Sequence, residues 1–246
     1  MQEIKSVLNV IRTTQDHRAI ARGTSRAANE RRHLGTLYHH CNLGTLQGLG
    51  PYANPVEIDQ ASATLATLDS RVYWQQNADD DSGDDAYIWT SSGKSLNPAT
   101  LPMLRLKFSL NQLATLRMWH GFFDQNGSTV VNADDPDGDY AAIRYSTNAS
   151  DTTWKYITSA DDTSTVTDSG IAPVADQIYH FEIEFETTGV RFRIEDGNKT
   201  VLNEQTVTTN RPRDHVAALQ LFHGLETLEA VGKSWRLYIT DVYALY

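Results

Sequence analysis

If the chain performs chemistry, the first residues able to carry it are Glu182, Glu184 and Glu186, which alternate with Phe181, Ile183 and Phe185 in "FEIEFE". On a strand, neighbouring same-face residues lie about 6.8 Å apart, within or near the carboxylate separations that glycosidases use. After Thr187-Thr188-Gly189 come Arg191 and Arg193, alternating with Val190, Phe192 and Ile194. A short loop centred on Thr187 and Thr188 sets Glu184 opposite Arg191 and Glu182 opposite Arg193 on the wet face. The same register sets Phe185 opposite Val190 and Ile183 opposite Phe192 on the core face. Facing guanidiniums keep carboxylates ionised, whereas a general acid needs its pKa raised. The run therefore reads as a solvated charge ladder that fixes strand register, and no catalytic residue is assigned.

Metal chemistry has two further candidates. "NADDPDGDY" offers Asp134, Asp135, Asp137 and Asp139 as hard oxygen ligands around a glycine, a set that suits calcium; "NADDDSGDD" is similar. Neither has the twelve-residue EF-hand spacing or its terminal Glu, and Asp and Asn are ordinary turn formers. Solvated turns are the expectation, with calcium as the only cofactor the sequence suggests. "YHHC" joins His39, His40 and Cys41, with His33 upstream, but adjacent residues rarely ligate one zinc and the chain has a single Cys. No GxSxG, HExxH, GxGxxG or Walker pattern occurs.

Five Trp remain as sugar-stacking faces: Trp74, Trp89, Trp119, Trp154 and Trp235. Trp235 shares parity with Leu237 and Ile239, and Trp119 lies beside "GFF", so both read as core. Trp154 shares parity with Tyr156 and Thr158 but not with Ile157, which places Trp154 and Tyr156 on the face away from the deepest core. They are the candidate carbohydrate platform, although burial against a neighbour is the commoner fate of such residues.

What must position these groups is a set of strands. The chain has 246 residues, 40% hydrophobic and 21% charged, enough for a real core. From about Val56 onward come "RVYWQQ", "AYIWTS", "MLRLKFSL", "TLRMWHGFF", "YAAIRYST", "WKYITS", "IYHFEIEFE", "VRFRIED", "VLNEQTV", "HVAALQLFH" and "SWRLYITDVYALY". Turns such as "DQNGS", "DDPDGD", "TTG" and "EDGN" separate them. About eleven short strands predict an all-β jelly-roll sandwich of two antiparallel sheets over residues 56–246.

Residues 1–55 read differently, as an N-terminal arm. Ile4, Val7, Leu8 and Ile11 follow one helix face, and Ser25 and Gly35 could cap a second helix. The tetrapeptide LGTL occurs at Leu34 and again at Leu43, and Leu34, Leu37, Leu43, Leu46 and Leu49 follow a period of three, with His40 in the missing slot, which suits an extended segment laid on something else. Residues 1–35 hold seven basic residues against three acidic ones, so they carry +4 and the remainder −14 of the net −10. A basic arm on an acidic body argues against nucleic-acid binding by the body and for a protein partner, including a second copy. No apolar run approaches a membrane span, and "MQEIKSVLNV" lacks the long apolar region of a secretory leader.

The second half resembles the concanavalin A-like (laminin G-like) jelly-roll domains of tailed-bacteriophage virion proteins. In order, the residues that carry the likeness are "LRMWHGFFD", "DYAAIRYST", "TTWKYITSADDTSTVTDSGIAPVAD", "YHFEIEFETTGVRFRIEDGN" and "KSWRLYITDVYALY". Ser169 stands where that family usually has Thr, and Glu195 precedes the Asp196-Gly197 turn. The resemblance covers roughly residues 100–246 and implies a two-sheet sandwich acting as a virion subunit, made in the host cytoplasm. A capsid decoration or turret subunit, with homotrimers unsurprising, is the first expectation. A carbohydrate-binding adhesin is the second. Some concanavalin A-like glycoside hydrolases carry alternating acids, but on a different strand from "EIEFE", and a hydrolase ranks third.

If residues 1–55 anchor the sandwich to its assembly, deleting residues 1–50 should leave a folded but assembly-incompetent domain. Circular dichroism would report the fold and particle incorporation the anchor; normal incorporation would exclude that role.

Overall fold

A computed structural model describes residues 36–41, 61–68, 71–78, 82–83, 85–89, 96–125, 127–214 and 219–245. Two compact units divide the chain, Met1–Thr36 with Tyr246, and Leu37–Leu245. Of the arm positions, Ile4, Val7, Leu8, Ile11, Leu43 and Leu46 lie outside the described residues. Leu37 falls in a strand, and its side chain is outside the description.

The first described strands are β1 (Thr36–Cys41), β2 (Ala61–Leu68), β3 (Arg71–Ala78) and β4 (Asp85–Trp89). β5 (Met103–Leu110) and β6 (Leu116–Phe123) follow, then a one-turn helix α1 (Gly127–Val131). Next are β7 (Tyr140–Ser146), β8 (Lys155–Ala160), β9 (Thr163–Asp168), β10 (Tyr179–Phe185) and β11 (Val190–Asp196). β12 (Val201–Val207), β13 (Gln220–Thr227) and β14 (Lys233–Leu245) complete the set. An eight-stranded sheet runs β12-β11-β10-β5-β14-β3-β2 with β1 also on β14, and a six-stranded sheet runs β4-β13-β6-β7-β8-β9. The all-β two-sheet expectation holds, with more strands than the sequence suggests: β1 and β2 are additional, and α1 begins within the end of the turn expected at "DQNGS".

Alternation fixes the registers. β10 and β11 pair Glu182 with Arg193, Glu184 with Arg191, Ile183 with Phe192 and Phe185 with Val190, the pairs that a loop at Thr187 and Thr188 requires. β8 and β9 are joined through Asp161 and Asp162, both with positive φ (54° and 60°), the backbone of a two-residue type I′ turn that tolerates Asp. The main core lies between the sheets: Phe108, Phe181, Ile183, Phe185 and Phe192 from one, Met118, Phe122, Ile143, Trp154 and Tyr156 from the other. A second apolar cluster covers the opposite face of the six-stranded sheet. There Tyr87, Trp119, Phe123, Tyr140, Ala142, Ile157 and Phe222 meet Val130 and Val131 of α1.

Within the main core, His120 of β6 and His223 of β13 stand directly opposite each other with their Nδ1 atoms 3.2 Å apart. Both are fully buried among Phe108, Phe181 and Trp235. One neutral ring donates to the other, so a single proton lies between the two Nδ1 atoms. Burial, and then the neighbouring His223, push His120 well below its ordinary value, and burial takes His223 down to about 3. These folded-state pKa values lie below the unfolded value near 6.5, so the unfolded chain binds more protons as pH falls through that value. Their contribution to stability is full above pH 6.5 and declines below it, toward pH 3 for His223.

Burial lifts the Glu226 carboxyl to about 7, which acts in the opposite sense, so the histidine term is best isolated by difference. The stability gap between wild type and His223→Gln should close as pH drops from 6.5 to 4.5, by about 1.4 kcal/mol per pH unit for one titrating site. Urea unfolding at pH 7.5, 6.0 and 5.0 measures it, and a gap constant with pH would contradict the assignment.

Candidate functional site

The outer face of the six-stranded sheet brings together charged side chains that are nonetheless buried. Asp85, Glu226, Arg117 and Ser146 form one row across β4, β13, β6 and β7, and Trp119 and Arg144 are opposite each other in the next row. Arg117 and Glu226 are each only 6% exposed. The Arg117 guanidinium donates from Nη1 to Glu226, from Nε to Asp134 Oδ1 at 2.7 Å, and from Nη1 to the Val131 carbonyl at 3.2 Å. Arg144 forks onto Asp151 at 2.9 and 3.0 Å, donates to the Asp134 carbonyl, and lies 5.5 Å from the centre of the Trp119 ring. Trp119 in turn donates from Nε1 to the Ala133 carbonyl at 2.9 Å.

The segment 127–134 therefore closes over this face through the backbone carbonyls of Val131, Ala133 and Asp134, each met by a strand side chain. Such a cap needs these donors, because an unpaired carbonyl buried there costs about 1–3 kcal/mol. Burial pushes Asp134 upward, but hydrogen bonds from Arg117, Ser146 and Asn148 outweigh it and hold the carboxyl at about 2. Burial carries Glu226 to about 7 against the pull of Arg117, helped by Asp85 across the strand. Glu226 is thus a carboxyl that can hold a proton near neutral pH, yet it is covered and hydrogen-bonded to Arg117. The arrangement acts as a clasp on the cap. Sequence reading passed over Arg117, Arg144, Asp151 and Glu226; the available signal was a lone Arg in each of two apolar strands, "LRMWHGFF" and "YAAIRYS".

The proposed sugar platform is corrected by the packing. Trp154 is 1% exposed and Tyr156 fully buried. Trp154 packs edge-on against Phe108 and Phe181 of the opposite sheet, and Tyr156 stacks on Phe192 with its hydroxyl donating to Asn203 at 2.9 Å. Ile157 points instead into the second cluster, so the face taken for the outside is the one between the sheets. Trp119 and Trp235 are buried as expected, and the side chains of Trp74 and Trp89 lie outside the described residues.

The calcium candidates are not brought together. Asp134 is held by Arg117, Ser146 and Asn148, and Asp135 accepts from Tyr140 at 2.6 Å and Ser164 at 3.2 Å. Asp139 is held by Arg213 and by the Asp161 N–H, while Asp137 is exposed. Calcium would have to displace Arg117 and Arg213, and among the described residues no three His, Cys, Asp or Glu form a metal-holding group. Of "YHHC", His39, His40 and Cys41 fall in β1 with side chains outside the description, as is His33 altogether.

The charge ladder differs from its expectation in one respect. Glu182, Glu184 and Arg191 are only 4–5% exposed, although they face away from the main core. Arg191 donates from Nη2 to both Glu182 and Glu184 and from Nη1 to Glu204 of β12 at 2.9 Å, and Arg105 of β5 reaches Glu182. Four strands contribute, so the charges shield one another from water. A carboxylate pair bridged by one guanidinium is poorly placed to exchange protons with a substrate.

The family model for the SO2946-like C-terminal domain matches residues 85–241. Among solved structures, a protein of unknown function, SO2946 from Shewanella oneidensis MR-1, superposes with a TM-score of 0.64 at 10% identity, covering 85% of this chain and 87% of that one. The CBM2 module of the evolved Dit of Lactobacillus casei BL23 phage J-1 gives 0.54 at 11% identity, over 85% and 96%. The VIP36 exoplasmic/lumenal domain in its Ca2+/Man3GlcNAc-bound form gives 0.52 at 10%, over 76% and 83%. At such identities the likeness is one of fold. No curated protein sequence matches the chain.

Removing the clasp's cation should be costly. Arg117→Ala leaves Glu226 and the Val131 carbonyl without their side-chain donor and takes one of three from Asp134, and about 3–5 kcal/mol of unfolding free energy should be lost. Adding Glu226→Gln should restore part of it. A loss below about 1 kcal/mol in urea unfolding would mean that the pair behaves as a surface ion pair.

Proposed function

The chain belongs to the SO2946-like C-terminal domain family, and we propose that this member is a structural subunit of a tailed-bacteriophage particle, of the capsid-decoration or turret kind, anchored through the part of its N-terminal arm that precedes β1. One observation carries this reading. Among the described residues, the candidate side chains for catalysis and sugar stacking are turned to holding the fold. Glu182 and Glu184 share Arg191, Glu226 is bound to Arg117, and Trp154 and Tyr156 lie in the core. Among the described residues, the exposed large hydrophobics are the aliphatic Val166, Val174, Val201, Leu202 and Val231, which suit protein contact better than sugar stacking. The virion assignment is supported by the ordered sequence likeness and by the fold shared with the phage J-1 Dit module.

A carbohydrate-binding adhesin on the same particle is the second reading, favoured by the shared fold with that CBM2 module and with sugar-bound VIP36. Its contacts would have to come from side chains other than Trp154 and Tyr156. No described helix is long and apolar enough to cross a membrane.

Purified particles of a phage encoding the chain decide between these readings. Mass spectrometry should find the protein in them, and antibody-gold labelling should place it on the head surface. Its absence from the particles would end the structural reading, and tail-tip labelling with glycan-array binding would favour the adhesin.

A further inference from the structure

Strand β9 ends the six-stranded sheet, with β8 on one side and no described strand on the other. Free edges are usually blunted by Lys, Pro, a bulge or a covering segment. β9 reads Thr-Ser-Thr-Val-Thr-Asp, without Lys or Pro, and its register with β8 runs unbroken from Lys155↔Asp168 to Ala160↔Thr163. Val166, at its middle, is 51% exposed. We propose that β9 is a docking edge for a second copy of this chain, pairing antiparallel with the same strand of its partner to make one continuous sheet.

The register follows from the backbone. Ala160 and Thr163 flank a two-residue loop and so exchange hydrogen bonds with each other. Along β9 the groups of Thr163, Thr165 and Thr167 then point toward β8, and those of Ser164, Val166 and Asp168 point outward. In a continuous twofold sheet, opposed residues share a face, so the axis must pass through a residue. Centred on Val166, the pairing sets Val166 against the partner's Val166, Thr165 against the partner's Thr167, and Ser164 against the partner's Asp168. Every outward N–H and C=O over this span then meets a partner, and no like charges are opposed. Val166 also continues the outer-face row that begins at Ile157, so the apolar stripe runs unbroken across the axis. Centring on Thr165 would put each exposed valine against a serine instead.

The β12 edge of the other sheet lacks this self-complementarity. β12 has Glu204 at its middle, tied to Arg191 and Arg193, and an antiparallel copy about that point would oppose Glu204 to itself. The β9 contact makes a twofold dimer, in place of the homotrimer that the sequence left open. It stands apart from the virion reading: a dimer in solution neither requires a particle nor follows from one.

Sedimentation velocity of the full chain over a concentration series tests the pairing. A dimer is expected, and Val166→Lys should weaken it about tenfold, equivalent to 1.4 kcal/mol, with an unchanged circular dichroism spectrum. Leu202→Lys on β12 should leave it intact. In a Cys41→Ser background, Val166→Cys should oxidise to a disulfide-linked dimer, since directly opposed residues lie about 5.5 Å apart at Cα. Because the body is acidic, added salt should strengthen association. A monomer at all concentrations, a trimer, a dimer indifferent to Val166→Lys, or one dissolved by salt, as a basic arm on an acidic body would be, each overturns the proposal.

Discussion

The six-stranded sheet carries buried apolar clusters on both faces, and the segment over its second face is there to keep that cluster dry. Strands β6, β7, β8 and β13 send Met118, Ile143, Tyr156 and Leu225 inward and Trp119, Ala142, Ile157 and Phe222 outward. A covering segment as short as α1 and its following loop cannot satisfy its own backbone. Its carbonyls at Val131, Ala133 and Asp134 must find donors on the sheet beneath. Arg117, Trp119 and Arg144 supply them. Burying two guanidiniums then requires Glu226, Asp134 and Asp151 as counter-charges, and the raised Glu226 carboxyl follows from that requirement.

The same double-sided character explains where sequence reasoning succeeded and where it failed. Strands with one polar face were legible: "MLRLKFSL", "VRFRIED" and "VLNEQTV" coincide with β5, β11 and β12, and the Glu/Arg pairs stand in the expected register. In β8, Tyr156 and Ile157 are both buried, so alternation could not say which parity faced the main core, and Trp154 was put on the wrong side. The depth of the charge ladder was invisible for another reason. Arg105 and Glu204 come from strands other than the hairpin, and burial by neighbours distant in sequence leaves no local pattern. β2, "ASATLATL", lacks the large β-branched and aromatic residues that mark a strand.

Structure and comparison together separate what the fold is from what the fold does. A lectin-like sandwich is a scaffold that serves sugar binding, catalysis and assembly alike, and the side chains decide among them. Here Arg191 holds Glu182 and Glu184, Arg117 holds Glu226, and Trp154 and Tyr156 are packed in the core.

The position of β14 has a consequence for how the chain is made. It lies between β5 and β3 in the eight-stranded sheet, and of the described strands it is the last to leave the ribosome. Until it arrives, β12-β11-β10-β5 and β3-β2 are two separate ribbons with an open seam between them. During synthesis the nascent chain can form local hairpins such as β10–β11, but completing the sandwich waits for residues 233–245. Topologies closed by such distant pairing fold slowly, and their unsealed edges are exposed meanwhile. A ribosome stalled before β14 would thus hold a half-sheet whose natural remedy is a chaperone.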